Sequence, residues 1–584
     1  MISGPDSWTE RVKSCLLDLA KERDVEVGEE LLAGLQATVP PSMDHGDLAF
    51  AMFPFAKAFR GNPAVLAGEI AARLDGADGA GVQAAGAYLN IKLPRGAATD
   101  AVLRAVEAAG DRYGFVDSLA GTRVMIEFSS PNTNKPLHLG HLRNNILGET
   151  LSRLLEAAGA QVHKVNLVND RGIHICQSML AYMEYGNGKT PESAGVKSDH
   201  FVGEYYVRYA NWVKEDPSVA DRARDLLKQW EAGDPEVREL WEKMNRWAVE
   251  GIKQTYEATG ISFDRIYFES ETYSAGKAEI LRGLEAGVFY RDTDGSVCAD
   301  LEEIDLDKKV LLRSDGTSLY VTQDIGTALS RHSDWPFDRL IYVVASEQRY
   351  HFQVLFHLLK KLGHEWADNL YHMSYGMVNL PEGKMKSREG TVVDADDLLA
   401  ELERLAAAEI QNKEREEAVG DIGATSKAVA LAALHYYLLQ TGPVKDMIFN
   451  PDESISFTGD TGPYLQYMGA RIASMLRKAP EIADVSATDI SAEMLADDDA
   501  WALTRIVARF PEVVQDAARS YNPSRIATYT YELAREFSRF YHDVPIIIAD
   551  DSELRLARLG LSKAVLTTLK NCFCLINLPF LEVM

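Results

Sequence analysis

The chain has 584 residues, of which 46% are hydrophobic and 25% charged, and carries a formal net charge of −26. One hydrophobic core stops growing at roughly 250–300 residues, so several domains are expected, and the composition excludes a disordered or fibrous chain. The acidic excess argues against a protein that coats nucleic acid indiscriminately, although a local basic face is enough to hold one RNA partner.

Residues 1 to about 115 read as a small α/β module. A helical stretch runs from Trp8 to Leu35, followed by the glycine-punctuated segment at 43–59, a helix over 63–74 and the strand-like AYLNIKL at 87–93. The pattern changes near residue 120. RVMIEF (123–128) is an apolar run of strand type. A helix is predicted over 139–158, with Leu142, Ile146, Leu147, Leu151, Leu154 and Leu155 on one face, and Gly159 stops it. VHKVNLV (162–168) is a second strand, so strand, loop, helix and strand fall within 50 residues. That is a βαβ unit of a parallel sheet. From about 175 to 310 the chain is more polar and holds Trp212, Trp230, Trp241 and Trp247 in helical surroundings; it reads as an insertion with the tryptophans as core anchors. A second βα pattern follows at RLIYVVAS (339–346) and 350–362. Beyond about 425 the chain is mostly helical, with acidic breaks at 484–499 and 549–553.

No run is long and apolar enough to span a bilayer, and the first residues lack the layout of a secretory signal. The five cysteines (15, 176, 298, 572 and 574) show no C-x-x-C spacing, so neither zinc nor a disulfide framework is expected. A cytoplasmic protein with reduced thiols is the plain reading.

Two segments carry chemistry. In SSPNTNKPLHLGH (129–141), His138 and His141 lie three apart with Gly140 between them, at a strand-to-helix junction. A helix N-terminus offers free N–H groups to phosphate, a glycine leaves room for an adenine ring against the backbone, and imidazoles add donors to a transferring phosphoryl group. The bland alternative is a histidine pair that caps a helix. The second segment, LPEGKMKSREGTVV (380–393), is a basic loop in which Lys384, Lys386 and Arg388 could clamp departing pyrophosphate; alone it would read as solvated surface.

Together, HLGH and KMKSR resemble the HIGH and KMSKS signatures of class I aminoacyl-tRNA synthetases, and the surroundings resemble the arginyl-tRNA synthetase family. EFSSPNTNKPLHLGH (127–141) is similar to that family's extended motif. RSDGTSLYVTQDIGTA (313–328), YVVASEQRYHFQVLF (342–356) and TGPYLQYMGARIASMLRK (461–478) resemble three further family segments, and 43–59 with 85–93 resemble its small N-terminal domain. The resemblance covers nearly the whole chain in order. It implies ATP and L-arginine as substrates, the cognate arginine tRNA as partner, and Mg²⁺ accompanying ATP.

It also implies roles for residues. His138, Gly140, His141, Lys384, Met385 and Lys386 are expected at ATP, and His138, His141, Lys135, Lys384 and Lys386 in catalysis. Tyr320 and Asp324, four apart as on one helical face, are implied at the guanidinium. Asn132 and Gln348 are implied nearer the amino-acid head, and Glu127 at the ammonium or the guanidinium. A buried-core role is the plain alternative for Tyr320.

Three departures from the family pattern stand out. The second lysine of the KMSKS equivalent is displaced, which makes Lys135 and Lys386 rival pyrophosphate ligands. His174 replaces a usual glutamine in DRGIH (170–174), and the terminal E-R-M reads Glu582-Val583-Met584. On the tRNA side, Arg519, Arg525, Arg535 and Arg539 interleave with aromatics. That suits unstacked bases or, more simply, an amphipathic helix with an aromatic core face.

The expected fold is α/β: a doubly wound parallel Rossmann-type catalytic sheet with an α-rich insertion, a small N-terminal α/β domain and an all-α C-terminal domain. The expected boundaries are 1–115 for an N-terminal tRNA-binding domain, 116–424 for the catalytic domain with its insertion at about 175–310, and 425–584 for a helical anticodon-binding domain. A monomer is expected. A small-molecule nucleotidyltransferase or a non-catalytic tRNA-binding paralogue would share parts of this pattern. The long helical C-terminal part argues against the first, and the intact histidines and Lys384 against the second.

Overall fold

The computed structural model describes residues 5–38, 40–379, 381, 393–412 and 420–584. The chain forms two compact units. One comprises Met1–Tyr113, Ile472–Phe510 and Glu532–Leu569, the other Gly114–Arg471, Pro511–Tyr531 and Lys570–Met584.

The second, larger unit is built on a five-stranded, wholly parallel sheet. Its strands are β1 (Arg123–Glu127), β2 (Gln161–Val168), β3 (Arg265–Phe268), β4 (Arg339–Ala345) and β5 (Leu370–Tyr375), in the order β5-β4-β1-β2-β3. From β1 the chain winds outward through β2 and β3, then returns to place β4 and β5 on the other side. The winding therefore reverses between β1 and β4, and open α/β sheets bind ligands outside the carboxyl ends at such a point. In β1, Val124, Met125 and Ile126 are at most 1% exposed, the continuous apolar run that a strand covered on both faces requires.

The helices that matter for the site are α1 (Leu139–Ala157), α2 (Ile173–Tyr185), α3 (Ser198–Glu215), α4 (Val219–Ala232), α5 (Pro235–Ala258), α6 (Glu269–Glu285), α7 (Tyr320–Asp334), α8 (Arg349–Lys361) and α9 (Ala395–Asn412). The predicted leucine face of α1 is buried, but so are its polar residues Arg143, Asn144, Asn145, Glu149 and Thr150. Arg143 compensates its burial with four backbone carbonyls. Nη1 donates to Gly376 O at 2.8 Å and Met377 O at 3.1 Å, and Nη2 to Pro443 O at 3.2 Å and Lys445 O at 2.8 Å.

The stretch expected as one insertion at 175–310 is two excursions. Helices α2–α5 enclose their own core around Met179, Phe201, Trp230 and Trp247, with Trp212 and Trp241 packed against it, so the tryptophans are anchors as expected. The chain then rejoins the sheet as β3 and leaves again as three short antiparallel strands, Tyr290–Arg291, Val297–Ala299 and Lys309–Leu312. RIYF is four residues long with its first residue exposed, too short for a period to emerge from flanking helical sequence.

In the first unit a three-stranded antiparallel sheet, with Tyr88–Lys92 between Leu48–Ala51 and Gly81–Ala85, packs with the helices Pro5–Glu22 and Pro63–Leu74 around Trp8, Leu16, Phe50, Phe55 and Leu89. Asp47 joins this part to the late helices of the same unit: it accepts from the Trp501 indole at 2.5 Å and from Leu93 N at 2.9 Å. Sequence reading assigns 1–115 and 425–584 to separate domains; contacts across about 450 residues leave no trace in local periodicity. Among the described residues no helix is long and apolar enough to cross a membrane.

Candidate active site

The carboxyl end of β1 opens into the segment that leads to HLGH. Ser129 and Ser130 turn the chain there with φ of +77° and +47°, left-handed conformations that cost non-glycine residues about 1–3 kcal/mol each. A buried polar network holds them. Ser129 N donates to Asn144 Oδ1 at 2.5 Å, Ser130 N donates to Asn166 Oδ1 at 3.0 Å, and the Tyr256 hydroxyl meets both Ser129 Oγ at 2.6 Å and Asn166 Nδ2 at 3.1 Å. Beyond the turn, Asn132 is half-buried and pairs through its backbone with Asn169. Lys135 is half-buried, and burial lowers its pKa.

His138 is the N-cap of α1. Its Nδ1 accepts from Gly140 N at 3.1 Å, and His141 Nδ1 accepts from His138 N at 3.2 Å. The bland reading of the pair is therefore physically true: these imidazoles do cap the helix. The capping also decides their chemistry. A neutral imidazole whose Nδ1 accepts must carry its proton on Nε2, so each ring has a donor to offer. Burial, aided by Lys135, pulls the pKa of His138 down to about 4, and burial with His138 and Lys135 holds His141 well below the usual range. Both are neutral donors near pH 7. A Cβ on Gly140 would come within 3.0 Å of the His138 ring, so the glycine makes room for this imidazole.

The chain that follows the basic loop returns to this turn. Leu139 N donates to Val393 O at 3.1 Å, Ala395 N donates to Leu137 O at 3.0 Å, and His138 forms a bridge with Asp394. Lys384, Met385, Lys386 and Arg388 lie outside the described residues, but Val393, five residues past Arg388, lies directly on HLGH.

Tyr320, Asp324 and Gln348, expected at the amino acid, lie on α7 and at the start of α8, beside the start of α6. α7 begins at Tyr320, so Asp324 is one helical turn on, as the four-residue spacing predicts. Tyr320 is 75% exposed, which rules out the core role. Asp324 Oδ2 meets His351 Nε2 at 2.6 Å; His351 is on the first turn of α8, three residues after the exposed Gln348 that caps this helix. Glu127 is placed less simply. Its carboxylate is paired with the buried guanidinium of Arg331 on α7 and accepts from Ser130 Oγ at 3.1 Å, so its charge is already compensated. His174 is exposed, bonded to Gln177 at 3.3 Å and edge-on to Tyr206.

Sequence reading missed Glu269. This residue is the first of α6 and follows β3 directly. Burial, with the charges of Asp170 and Asp324 adding to it and Arg171 opposing, lifts its pKa to about 7. With its amide oriented to satisfy both neighbours, Gln323 donates to Glu269 Oε1 at 3.0 Å and accepts from Arg171 Nη1 at 3.1 Å. The strand-end rule would have found Glu269 had RIYF been recognised as a sheet strand.

The arginine-rich segment 519–542 is less open to RNA than its composition suggests. Within Ser524–Asp543, Tyr529 is 2% exposed and Phe537 and Phe540 are fully buried. Arg519 pairs with Asp516 at 2.7 Å, and Arg539 with Asp499 at 2.6 Å and Glu536 at 2.5 Å. The amphipathic-helix reading holds for most of these aromatics.

Comparison with known families matches residues 107–451 to the class I tRNA synthetase catalytic domain of the arginine type, 465–584 to the DALR anticodon-binding domain and 7–93 to the arginyl-tRNA synthetase N-terminal domain. The reversing parallel sheet with HLGH at its switch point is thus the catalytic core of a class I aminoacyl-tRNA synthetase. Among curated proteins, the arginine–tRNA ligase of Treponema denticola is 53% identical over 99% of both chains. That of Treponema pallidum is 52% identical over 93% of this chain and 94% of its own. The solved arginyl-tRNA synthetase of Thermus thermophilus superposes with a TM-score of 0.79 at 25% identity, covering all of both chains. The chain belongs to the arginyl-tRNA synthetase family.

Proposed function

We propose that the cleft between β1 and β4 carries out the family's reaction through the residues just described. As an arginine–tRNA ligase, the protein activates L-arginine with ATP to arginyl-adenylate and pyrophosphate, then transfers arginine to the 3′-terminal ribose of its tRNA. ATP lies across the carboxyl ends of the strands, with its phosphates toward the N-terminus of α1. The Nε2–H groups of His138 and His141 donate to the phosphoryl oxygens as the arginine carboxylate attacks the α-phosphate in line. Lys135, with Lys384 and Lys386 from the basic loop, holds the departing pyrophosphate, and Met385 lies with them at ATP. Catalysis is positioning and charge stabilisation, without a protein nucleophile. Asp324, Glu269 and Tyr320 receive the guanidinium, while Asn132, Gln348 and the Glu127 carboxylate, neutralised by Arg331, orient the amino-acid head.

The observation that carries this reading is the tautomer. Both imidazoles accept on Nδ1 within the turn, so both present Nε2–H at a helix N-terminus. We further propose that 1–115, 116–424 and 425–584 act as tRNA-binding, catalytic and anticodon-binding parts of a cytoplasmic monomer. Mg²⁺ would arrive on ATP. The cluster of Asp199, His200 and Asp396 has metal-ligand spacing, but the Lys197 ammonium lies 2.5 Å from Asp396, so these residues do not fit an ion and no step is assigned to one.

Lys135 and Lys386 separate the two possible pyrophosphate clamps. Lys135→Ala should slow single-turnover activation more than Lys386→Ala, because Lys135 adjoins HLGH and sits partly desolvated, where a charge acts more strongly. The reverse order, measured by rapid quench with labelled ATP, would move the main clamp to the loop.

A further inference from the structure

The helical excursion α2–α5 has no part in the chemistry above, yet it grips the HLGH turn from behind. Asp396, in the first turn of α9, is bound from two of its helices. Lys197 Nζ, at the N-cap of α3, donates to Asp396 Oδ2 at 2.5 Å and to Thr255 Oγ1 of α5 at 2.6 Å. His200 Nε2 lies 2.9 Å from Asp396 Oδ2, and Thr255 Oγ1 donates to Asp396 Oδ1 at 2.9 Å. Asp394 faces the same His200 at 3.5 Å and accepts from Asp396 N at 2.8 Å. Asp199, fully buried, meets Lys197 at 3.3 Å, and α5 passes so close at Gly251 that a Cβ there would strike the Asp199 carboxylate.

The two residues that flank Asp394 are the ones laid along HLGH. Val393 O and Ala395 N bond to Leu139 and Leu137 on either side of His138. One turn along α3 from His200, Gly203 packs on the other flank of the site, where a Cβ would come within 2.8 Å of Pro136 Cδ and 3.7 Å of Lys135 Cα. His200 and Gly203 are three apart and so share a helical face. A single face of α3 therefore contacts both the 394–396 segment that braces His138 and the segment that carries Lys135.

We propose that Asp396, clasped by Lys197, His200 and Thr255, is a positioning residue for arginine activation, and that α3 is the plate against which HLGH and Lys135 are set. Asp396 touches no substrate in this scheme. It fixes the 393–395 segment, which fixes the His138 turn. Displacing a donor by about 1 Å can cost roughly a hundredfold in rate, so the clasp should govern the rate of activation more than the binding of substrates. The inference rests on the roles proposed above for His138, His141 and Lys135.

The test is arginine-dependent pyrophosphate exchange with the full-length enzyme and its tRNA, at a temperature well below the melting point of every variant. Asp396→Asn keeps the shape and removes the charge that Lys197 and His200 share. Its kcat should fall roughly tenfold to a hundredfold, with KM for ATP and arginine changed less than about threefold, and Asp396→Glu should recover part of the loss. Lys197→Gln and Thr255→Val are milder probes, should Asp396→Asn not fold, and each should lower kcat in the same selective way. A fall in Tm with kcat within twofold of wild type, or a loss seated in KM, would make the cluster a structural brace only and overturn the proposal. His141→Ala and Lys135→Ala run alongside separate the two levels. If they too leave activation intact, the site itself is misplaced; if they cripple it and the clasp variants do not, only the positioning role fails.

Discussion

Replacing Asp324 by Asn should lower kcat/KM for arginine by two to three orders of magnitude or more, while citrulline loses far less. Asparagine keeps the size of the side chain and its place one turn into α7, but removes the charge proposed to face the guanidinium. Leaving one member of a buried ion pair uncompensated typically costs about 3–5 kcal/mol, and about 1.4 kcal/mol is tenfold in rate. The side chain of Asp324 is 33% exposed, so the full effect requires the bound arginine to cover it. Glu269 softens the loss somewhat, since a second carboxyl remains and an entering cation favours its ionised form. ATP binding should be unchanged, because Asp324 is not part of HLGH. Measured at saturating ATP and tRNA, an unaltered preference for arginine over citrulline would remove Asp324 from the guanidinium site.

The other large effect is expected at HLGH. His141→Ala should reduce the activation rate by roughly a hundredfold to a thousandfold, the cost of losing one preorganised donor to a developing oxyanion. KM for ATP should move little. Gly140→Leu should act differently. Its Cβ alone would come within 3.0 Å of the His138 imidazole and push the ring aside, and the rest of the leucine side chain should block the nucleotide, so ATP binding should weaken together with the rate. Normal ATP affinity in this variant, by equilibrium binding, would show that the nucleotide does not lie against this turn. The pH dependence follows from the buried pair. With His138 near a pKa of about 4 and His141 depressed too, neither titrates between about pH 6 and 8, so neither should produce an inflection in the activation rate there. Their folded pKa values lie below the unfolded value of about 6.5, so unfolded histidines take up protons that folded ones refuse. Their stabilising contribution is complete above about pH 6.5 and is lost as the pH falls, for His138 toward about 4.

The parts of this molecule legible in its sequence are those with a local period or a rigid motif. The βαβ unit from β1 to β2, the second βα pair, the turn at HLGH and the helical spacing of Tyr320 and Asp324 are each written in a short stretch of sequence. What stayed hidden depends on partners far away in sequence. β3 is a strand because β2 is beside it, 100 residues earlier, and its short sequence carries too little alternation to say so; Glu269 was hidden with it. Glu127 could be marked as a site residue, but Arg331, 204 residues later, decides that its carboxylate is compensated. The same holds for Asp396, an ordinary helix-start aspartate by sequence, whose partners come from two helices of a region read only as an insertion. Gly140 shows the converse case. Its need for a small side chain was legible, while the neighbour that imposes it, the His138 ring, was not.

The most direct test of the site is a crystal structure of the enzyme with a non-hydrolysable arginyl-adenylate analogue. The guanidinium should lie within hydrogen-bond distance of Asp324, with Glu269 and Tyr320 beside it. The sulfamoyl group that replaces the phosphate should accept from Nε2 of His138 and His141, and the adenine should lie beyond the N-terminus of α1. A guanidinium bound away from Asp324, or histidines that turn their Nδ1 atoms to the ligand, would contradict both the substrate pocket and the tautomer on which the chemistry depends.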